Sequence, residues 1–327
     1  MERIRDHSKR EHTINPATAM LPDPSNVMVP LSQWREVDAI GSCAHVKRLK
    51  VSLAEIPGRF FEMGIFPQTM AASIIRRGFE AQVAANHPNV QTPLLLYEPK
   101  GRGVHEVFEL CEMGSLADLF TAPPTPLPLN LCWLYIHQLC MALASIHDQH
   151  LVHCDISLEK CLLDSSGNLK LTGFYLARRE GEPPGDSGSV VYLAPEVTAL
   201  QKTASPRDIW SAGVILYALL FASFPRSDLH LRDIPQPAAA RLSAPLADLL
   251  GGMLDPDPQT RLTARGVLAH PWMVSPPCPS ADLQAEVRQW VLQHRNSRAA
   301  SRSSPPPAMR KPSRLVGVSG PSIPILL

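Results

Sequence analysis

The stretch LVHCDISLEKCLLDSSGNLKLTGFYLARR occupies residues 151–179, and the interpretation of the whole chain depends on it. Its polar residues are spaced as in a phosphoryl-transfer site, with Asp155 in a loop between two short apolar runs. Such a site needs a base and oxygen ligands for metal ions, and most positions that would supply them hold other residue types. The stretch therefore indicates either an enzyme with unusual chemistry or an enzyme fold with a non-catalytic function.

The composition indicates a globular chain. The 327 residues are 45% hydrophobic and 19% charged, and the formal net charge of +1 predicts neither a nucleic-acid nor a membrane partner. Seven irregularly spaced cysteines are typical of reduced thiols in an intracellular protein. We find no apolar run of about 18 residues and no N-terminal signal pattern. The expected location is therefore cytoplasmic, nuclear or both.

Short strand-like runs precede long helical ones, which predicts an α+β fold. The sequence LLLYEPKGRGVHEVFEL (94–110) predicts a hairpin, and QTMAASIIRRGFEAQVAA (68–85) predicts a helix. After residue 276 comes one candidate amphipathic helix, which either packs on the preceding domain or docks a partner through Trp290. The predicted units are a disordered segment (1–30), a small lobe (31–110), a large lobe (111–275), a linker with the amphipathic helix (276–295) and a disordered basic Ser/Pro-rich tail (296–327).

Five motifs identify the chain as similar to eukaryotic protein kinase domains over about residues 31–275. In order they are VHCDISLEKCLLD (152–164), LKLTGFYLAR (169–178), YLAPE (192–196), DIWSAGVILYALL (208–220) and DPQTRLTARGVLAHPWM (257–273). The resemblance implies a bilobal fold with a small β-rich N-lobe, a larger helical C-lobe and a nucleotide cleft between them.

The residues that support the family's C-lobe are intact. His153 matches the catalytic-loop histidine, which packs and hydrogen-bonds. Glu196 and Arg261 match a buried salt bridge, and Asp208 matches an acceptor for backbone N–H groups of the catalytic loop. The residues at these four positions predict that the lobe folds, and they do not indicate catalysis.

Most residues that the resemblance assigns to catalysis are replaced. Asp155 stands at the base position, but Lys160 replaces the metal-binding asparagine and Gly173 replaces the metal-binding aspartate. Neither an ammonium nor a glycine can coordinate Mg²⁺, which prefers oxygen ligands. Ser157 replaces a lysine that contacts phosphate. The sequence predicts no metal site, and a His/Cys cluster at 147–154 is not expected to converge on zinc.

The residues at the nucleotide-binding positions of the N-lobe are also replaced. Gly64 stands at the position of the family's nucleotide-binding lysine. Gly78 stands at the position of the helix glutamate, with Glu80 two positions away, and Gly41 is the one glycine that remains of the glycine loop. Three cations near this region, Lys47, Arg48 and Lys50, remain alternatives for the missing lysine. The hinge is predicted at Glu109, Leu110 and Cys111, whose backbone could still hold an adenine-like ligand without metal.

Candidate phosphorylation sites lie in two parts of the chain, the activation segment and the tail. Cys154 replaces the catalytic-loop arginine that grips a phosphorylated activation segment in many kinases, so phosphates on Ser187 or Ser189 lack their usual partner. In the tail, Ser301 and Ser313 follow basic residues at a spacing that basic-directed kinases favour.

These losses together predict a pseudokinase. Removal of one electrostatic donor from an active site costs about 3–4 kcal/mol, and four are missing here. The predicted function is a signalling scaffold or adaptor with little or no phosphoryl transfer. One alternative is a weak serine/threonine kinase with Asp155 as base and an unusual acid, such as Asp164 or Glu159, in place of the metal ligands. The other is a domain that folds only with a partner. No cofactor is expected beyond weak metal-independent ATP binding. The C-lobe ending resembles calcium/calmodulin-kinase-like domains, and the IFPQ strand resembles Tribbles pseudokinases, which implies kinases and a ubiquitin ligase as partners.

Overall fold

The computed structural model of the chain describes residues 12–13, 29–43, 46–120, 125–183, 188–198, 204–225, 242–275 and 285–292. Most of the N-terminal segment 1–30 and all of the tail 296–327, with its candidate acceptors Ser301 and Ser313, lie outside these residues. The predictions for the tail therefore stay predictions.

The N-terminal part is a six-stranded antiparallel sheet with one helix. Its strands are β1 (His12–Thr13), β2 (Trp34–Cys43), β3 (Val46–Leu53), β4 (Phe60–Ile65), β5 (Pro93–Tyr97) and β6 (His105–Glu109), in the spatial order β1-β5-β6-β4-β3-β2. The helix α1 (Ala72–Ala85) connects β4 to β5. The predicted hairpin is formed by β5 and β6. Val51, Phe61 and Val107 are buried on one face of the sheet, as the two-residue period of a strand dictates.

The C-terminal part is helical and holds the largest core. Its helices are α2 (Leu129–His147), α3 (Pro195–Thr198), α4 (Pro206–Phe221), α5 (Ala244–Met253), α6 (Ala264–Leu268) and α7 (Pro271–Val274). Four short strands lie at its border with the sheet: β7 (Leu151–Val152), β8 (Cys161–Leu163), β9 (Leu169–Leu171) and β10 (Arg178–Arg179). They pair as β7 with β10 and β8 with β9, and they hold the loops of the cleft. The predicted α+β bilobal fold is confirmed.

The helix α2 is long and apolar enough to cross a membrane by length and composition alone. It packs inside the helical lobe, and Tyr135, Ile136 and Leu139 on it are fully buried. This burial is what a core helix of a globular lobe requires, so α2 is the central support of the C-lobe.

A helix over residues 285–292 packs on the C-lobe. Val287 and Val291 are fully buried and belong to the core of that lobe. The β8–β9 turn passes so close that a Cβ on Gly167 would lie 2.7 Å from Val287 Cγ1, and Asn130 Nδ2 donates to Glu286 Oε2 at 3.0 Å. The apolar face of this helix is thus covered by the chain's own C-lobe.

Candidate functional site

The catalytic-loop region is supported by buried polar contacts. Asp208 on α4 accepts hydrogen bonds from the backbone N–H groups of His153 (2.8 Å) and Cys154 (3.0 Å). His147 Nε2 lies 3.0 Å from the same carboxylate, and these contacts outweigh burial, so the pKa of Asp208 is lowered although burial alone would raise it. His153 Nε2 lies 3.1 Å from the carbonyl of Thr172. The loop that carries Asp155 is therefore tied both to α4 and to Thr172, the residue that follows β9.

A buried ion pair joins α3 to the loop before α6. Arg261 Nη1 and Nη2 donate to the two oxygens of Glu196 at 2.6 and 2.8 Å, and the Arg261 side chain is 0% exposed. Arg261 also donates to the carbonyls of Pro206 and Asp255. Because every charge in this cluster has a partner, the structure holds the activation segment to the C-lobe irrespective of catalysis.

At the base position, Asp155 is neighboured by a cation and by the activation segment. Its Oδ2 lies 3.7 Å from Lys160 Nζ, and its backbone N–H donates to His153 Nδ1 at 3.2 Å. On the other side, a Cβ on Gly188 would lie 2.3 Å from Asp155 Oδ1 and 3.2 Å from its Cα, so residue 188 packs closely against this carboxylate. The carboxylate is thus enclosed between an ammonium and the backbone of residue 188.

The two metal-ligand positions of the resemblance lie side by side, and the residues present do not fit a metal ion. Gly173 has φ +83°, and a Cβ on it would meet Lys160 Cδ at 2.7 Å and Nζ at 3.0 Å. The ammonium of Lys160 therefore lies next to the position that a metal-binding side chain at 173 would occupy. Within the described part of the chain, no group of three or more His, Cys, Asp or Glu residues could hold a metal.

The other acids near the loop do not replace the missing ligands. Asp164 caps the β8–β9 turn by accepting from the backbone N–H groups of Ser166 and Asn168 at 2.8 and 2.9 Å. Glu159 is exposed. The three atoms nearest to a Cβ at residue 173 all belong to Lys160 and none to these carboxylates, so the alternative of an unusual acid as metal ligand finds no support in this geometry.

A tyrosine fills the space beside Gly78, the position at which the resemblance puts the helix glutamate. Strand register pairs Gly64 with Arg48 on β3 and Glu106 on β6, which puts Gly64 in the middle of the cleft side of the sheet. On α1, a Cβ on Gly78 would lie 2.8 Å from the ring of Tyr175 and 2.9 Å from its Cα. Any side chain at residue 78 is therefore excluded by Tyr175, and Glu80 is exposed on the helix.

The Tyr175 hydroxyl contacts a buried carboxyl group. Its hydroxyl donates to Glu106 Oε2 at 2.7 Å, and its ring packs edge-on against Phe66. Glu106 is fully buried and its Oε1 has no hydrogen-bond partner among the described residues. Burial, with the charge of Glu62 in addition, raises the pKa of Glu106 to about 8 against the ordinary value of 4.5. The acid is thus held in its neutral form near neutral pH.

One cation does enter the cleft from the sheet. Arg48 Nε donates to Glu62 Oε1 at 2.5 Å, and the Glu62 side chain is only 6% exposed. Gln91 Nε2 donates to the other oxygen of Glu62 at 3.2 Å. Of the three cations near the missing lysine, Arg48 is thus the one engaged with a buried acid of the cleft. Lys47 contacts Glu36 in an exposed pair, and Lys50 lies over the Phe60 ring.

The predicted hinge follows β6 directly. The Glu109 carboxylate accepts from the backbone N–H of Thr92 at 2.8 Å and contacts Lys170 at 3.0 Å. Cys111 is buried, and burial raises the pKa of its thiol well above the ordinary value. Its neutral form makes Cys111 a poor nucleophile, in keeping with a plain hinge residue. Gly41 lies in β2 and pairs with Arg48.

Sequence reasoning did not identify Glu62, Glu106 or Tyr175 as residues of the cleft. Two clues were available: glycine at both positions of the expected ion pair, and a large side chain at 175 in the Gly173-Phe174-Tyr175 motif. Glycine at both positions of the expected pair leaves a space in the interior, and a large side chain at residue 175 can fill it.

Comparisons with known proteins agree with the fold and the motifs. The protein kinase domain model matches residues 68–273, which is more than half of the chain. Serine/threonine-protein kinase CHK1 of Mycosarcoma maydis is 33% identical over 228 residues, covering 64% of this chain and 33% of that protein. CBL-interacting protein kinase 30 of Oryza sativa subsp. japonica is 32% identical over 54% of this chain and 40% of its own.

A calcium and calcium/calmodulin-dependent serine/threonine-protein kinase of the same rice is 31% identical over 71% of this chain and 47% of its own. The chain thus spans a third to a half of the length of these relatives. With the bilobal fold, the enclosed catalytic loop and the matched residues together, the chain belongs to the protein kinase domain family.

Proposed function

We propose that this member of the kinase family is a pseudokinase that acts as a signalling scaffold or adaptor, with little or no phosphoryl transfer. The observation that carries the proposal is the contact between Lys160 and Gly173, where the ammonium lies within 3.0 Å of the Cβ position of residue 173. A positive charge there repels a divalent cation, and glycine at 173 has no side chain to offer it a ligand.

The charges of the cleft support the same conclusion. Arg48 is paired with Glu62, Lys160 with Asp155 and Lys170 with Glu109, so each of these cations already faces a carboxylate. A triphosphate needs unpaired positive charge, and each missing electrostatic donor costs about 3–4 kcal/mol at the transition state. Such losses need not add, but even half of their sum slows turnover far below the usual rate of a kinase.

Thermal denaturation of the full chain with ATP, with and without Mg²⁺, tests the proposal. A nucleotide at about 100 times its Kd would add about 2.7 kcal/mol of stability, which is about 5–11 °C for a domain of this size. We expect no metal-dependent shift. A shift of several degrees that requires Mg²⁺ would contradict the proposal.

A variant of the same chain calibrates this measurement. Lys160→Asn combined with Gly173→Asp removes the ammonium and restores an oxygen ligand at each metal position. We expect a Mg²⁺-dependent shift to appear in this double variant and to be missing from the wild type. If both proteins show the same shift, Lys160 and Gly173 do not limit metal binding and the argument from their contact is wrong.

A weak serine/threonine kinase is the second candidate, and two features favour it. Asp155 retains the carboxylate at the base position, and Arg48 brings a guanidinium to the strand position beside Gly64. Transfer of radiolabelled phosphate from ATP would support this candidate only if it disappears in both Asp155→Asn and Arg48→Met. Label that persists in Asp155→Asn comes from a contaminating kinase.

The partners follow from the family and from the Tribbles resemblance as part of this proposal. We expect other signalling proteins, namely upstream kinases and a ubiquitin ligase, and neither nucleic acid nor membrane. No cofactor is expected; any ATP binding would be weak and independent of metal. The proposed location is the cytoplasm, the nucleus or both. Proximity labelling in cells, compared between the wild type and a variant lacking the C-lobe, would identify the partners directly.

A further inference from the structure

Two side chains connect the N-lobe to the start of the activation segment inside the cleft. The first is Tyr175, in the short 3₁₀ helix Phe174–Leu176 that follows β9. Its hydroxyl donates to Glu106 Oε2 on β6 at 2.7 Å. Its ring packs edge-on against Phe66 and lies against α1 at Gly78. Tyr175 therefore contacts both the sheet and the helix of the N-lobe.

The second is Gln91, which precedes β5 and is 0% exposed. Towards the C-lobe, its Oε1 accepts from Thr172 Oγ1 at 2.7 Å and its backbone N–H donates to the carbonyl of Leu171 at 2.9 Å. Within the N-lobe, its Nε2 donates to Glu62 Oε2 at 3.2 Å and its backbone carbonyl accepts from Gln82 of α1 at 2.8 Å. One buried residue thus connects β4 and α1 to β9 and to the residue after it.

The segment that carries Thr172 and Tyr175 is itself fixed to the C-lobe. Phe174 is fully buried, and its ring packs edge-on against His153 of the catalytic loop with the ring centroids 4.5 Å apart. The carbonyl of Thr172 lies 3.1 Å from His153 Nε2. Because Thr172 and Tyr175 flank these contacts, a bond from either side chain to the N-lobe connects the two lobes.

We propose that Tyr175 and Gln91 form a latch that holds the N-lobe against the C-lobe without a nucleotide or a metal ion in the cleft. Each hydrogen bond described above runs between groups of the chain itself. The resemblance puts the helix glutamate at Gly78, and Tyr175 fills the space beside that residue. The chain thus has a contact between its lobes where the resemblance implies an ion pair within the N-lobe.

Separation of the lobes would be unfavourable for two reasons. The ring of Tyr175 packs against an apolar cluster of the N-lobe that includes Phe66 and Phe108, and its withdrawal would expose part of this cluster to water. It would also remove the partner of the buried Glu106 carboxyl group and of the Gln91 amide, and buried polar groups without partners are costly. Both connections therefore favour the closed arrangement.

A latch of this kind fixes the position of one lobe relative to the other. A scaffold held in this way presents the same surfaces to a partner whether or not nucleotide is available. This consequence rests on the proposed function, whereas the latch itself does not. The latch is measured by exchange of backbone amides and the pseudokinase proposal by metal-dependent nucleotide binding, so the failure of one is distinguishable from the failure of the other.

Hydrogen exchange of the full chain without nucleotide tests the latch through the backbone amides of α1. We expect these amides to exchange through separation of the lobes, which needs less free energy than global unfolding. Tyr175→Phe keeps the ring and removes the bond to Glu106, and Thr172→Val removes the bond to Gln91. Each variant should speed exchange in α1 about two- to tenfold, the range expected for one neutral hydrogen bond.

The position of the two bonds makes this result specific for the lobes. Neither bond is made by a residue of α1, so fraying of that helix alone would not respond to Tyr175→Phe or to Thr172→Val. Unchanged exchange of α1 in Tyr175→Phe would refute the latch.

Two control variants separate the latch from general stability. Val291→Ala weakens the C-lobe core and leaves both connections intact, so it should speed exchange in α2 on global unfolding but not exchange in α1. Equal acceleration of α1 by Val291→Ala and Tyr175→Phe would mean that the lobes do not open separately, which overturns the proposal. Tyr135→Phe removes a buried hydroxyl that has no hydrogen-bond partner among the described residues, and it should leave α1 unchanged.

A double-mutant cycle shows whether Tyr175 and Glu106 act as a pair. Glu106→Leu removes the acceptor, and Tyr175→Phe removes the donor. The double variant leaves neither group buried without its partner, so it should speed exchange in α1 by less than the product of the two single effects. Effects that multiply would exclude the contact between the hydroxyl and the carboxyl group as part of the latch.

Discussion

Replacement of Glu106 by glutamine is predicted to remove a specific pH dependence from the stability of this protein. Glu106 is buried under Tyr175, and its pKa is raised by burial from 4.5 to about 8. An acid whose pKa is higher in the folded state holds its proton in the native protein and releases it on unfolding. Its stabilising effect is complete below pH 4.5 and is lost as the pH rises through 8.

The magnitude follows from the two pKa values. One pKa unit corresponds to about 1.4 kcal/mol, so the free energy of unfolding should fall by about 1.4 kcal/mol for each pH unit in this window. Over the full window the loss is about 5 kcal/mol, which is a large part of the usual stability of a domain. In Glu106→Gln the side chain stays neutral and can still accept from the Tyr175 hydroxyl, so this contribution should vanish.

The assay is urea denaturation of wild type and Glu106→Gln at several pH values between about 5 and 8. Other titrating groups contribute equally to both proteins, so the difference between their unfolding free energies isolates residue 106. We expect that difference to widen with pH in favour of the variant. Glu80→Gln, which changes an exposed acid on α1, should give a curve parallel to the wild type. Parallel curves for Glu106→Gln would refute the assignment of a neutral buried acid.

Three further predictions concern packing and ion pairs. Gly78→Ala should destabilise the fold by about 1–2 kcal/mol, because overpacking against Tyr175 costs about 1–3 kcal/mol and the gain in helix propensity is at most about 1. Glu196→Gln should cost about 3–5 kcal/mol, because it leaves the Arg261 charge buried without its partner. Val291→Ala should cost about 1–3 kcal/mol, because it empties a fully buried position between the last described helix and the C-lobe. Urea denaturation measures all three.

Each of these variants has a matched control. Gly78→Ala should cost less in a Tyr175→Ala background, where the ring contact at 2.8 Å is gone and only the contacts with the backbone of residue 175 remain. An unchanged cost in that background would show that the tyrosine ring is not part of the obstacle. Arg265→Met breaks the exposed pair with Asp148 and should leave the unfolding midpoint unchanged. Leu292→Ala, at a 42% exposed position of the same helix as Val291, should have little effect. A loss equal to that of Val291→Ala would mean that burial does not explain the stability of this helix.

The sequence predicts those features of the fold that depend only on the residue type and on the spacing between residues. The strand–helix order predicted the two lobes, and the motifs around His153 and Asp208 predicted which side chains support the catalytic loop. The residue types also predict a loss of metal ligands, because lysine at 160 and glycine at 173 lack oxygen donors in their side chains whatever surrounds them. The surroundings of Lys160 and Gly173 could not be predicted from the sequence, because the approach of Lys160 to Gly173 depends on how two separate loops pack.

The sequence by itself determined the kinase-type scaffold, and it predicts that the usual metal- and nucleotide-binding side chains of the family are replaced, because both depend on residue identity. Only the tertiary structure decided what occupies the cleft instead. Tyr175 lies 97 residues from Gly78 and 69 residues from Glu106, yet packing brings its ring and hydroxyl against both. In the same way Asp208 accepts from the backbone N–H of Cys154, 54 residues away, only after α4 packs against the catalytic loop. Such contacts depend on volumes and directions in the packed interior, which no local pattern encodes.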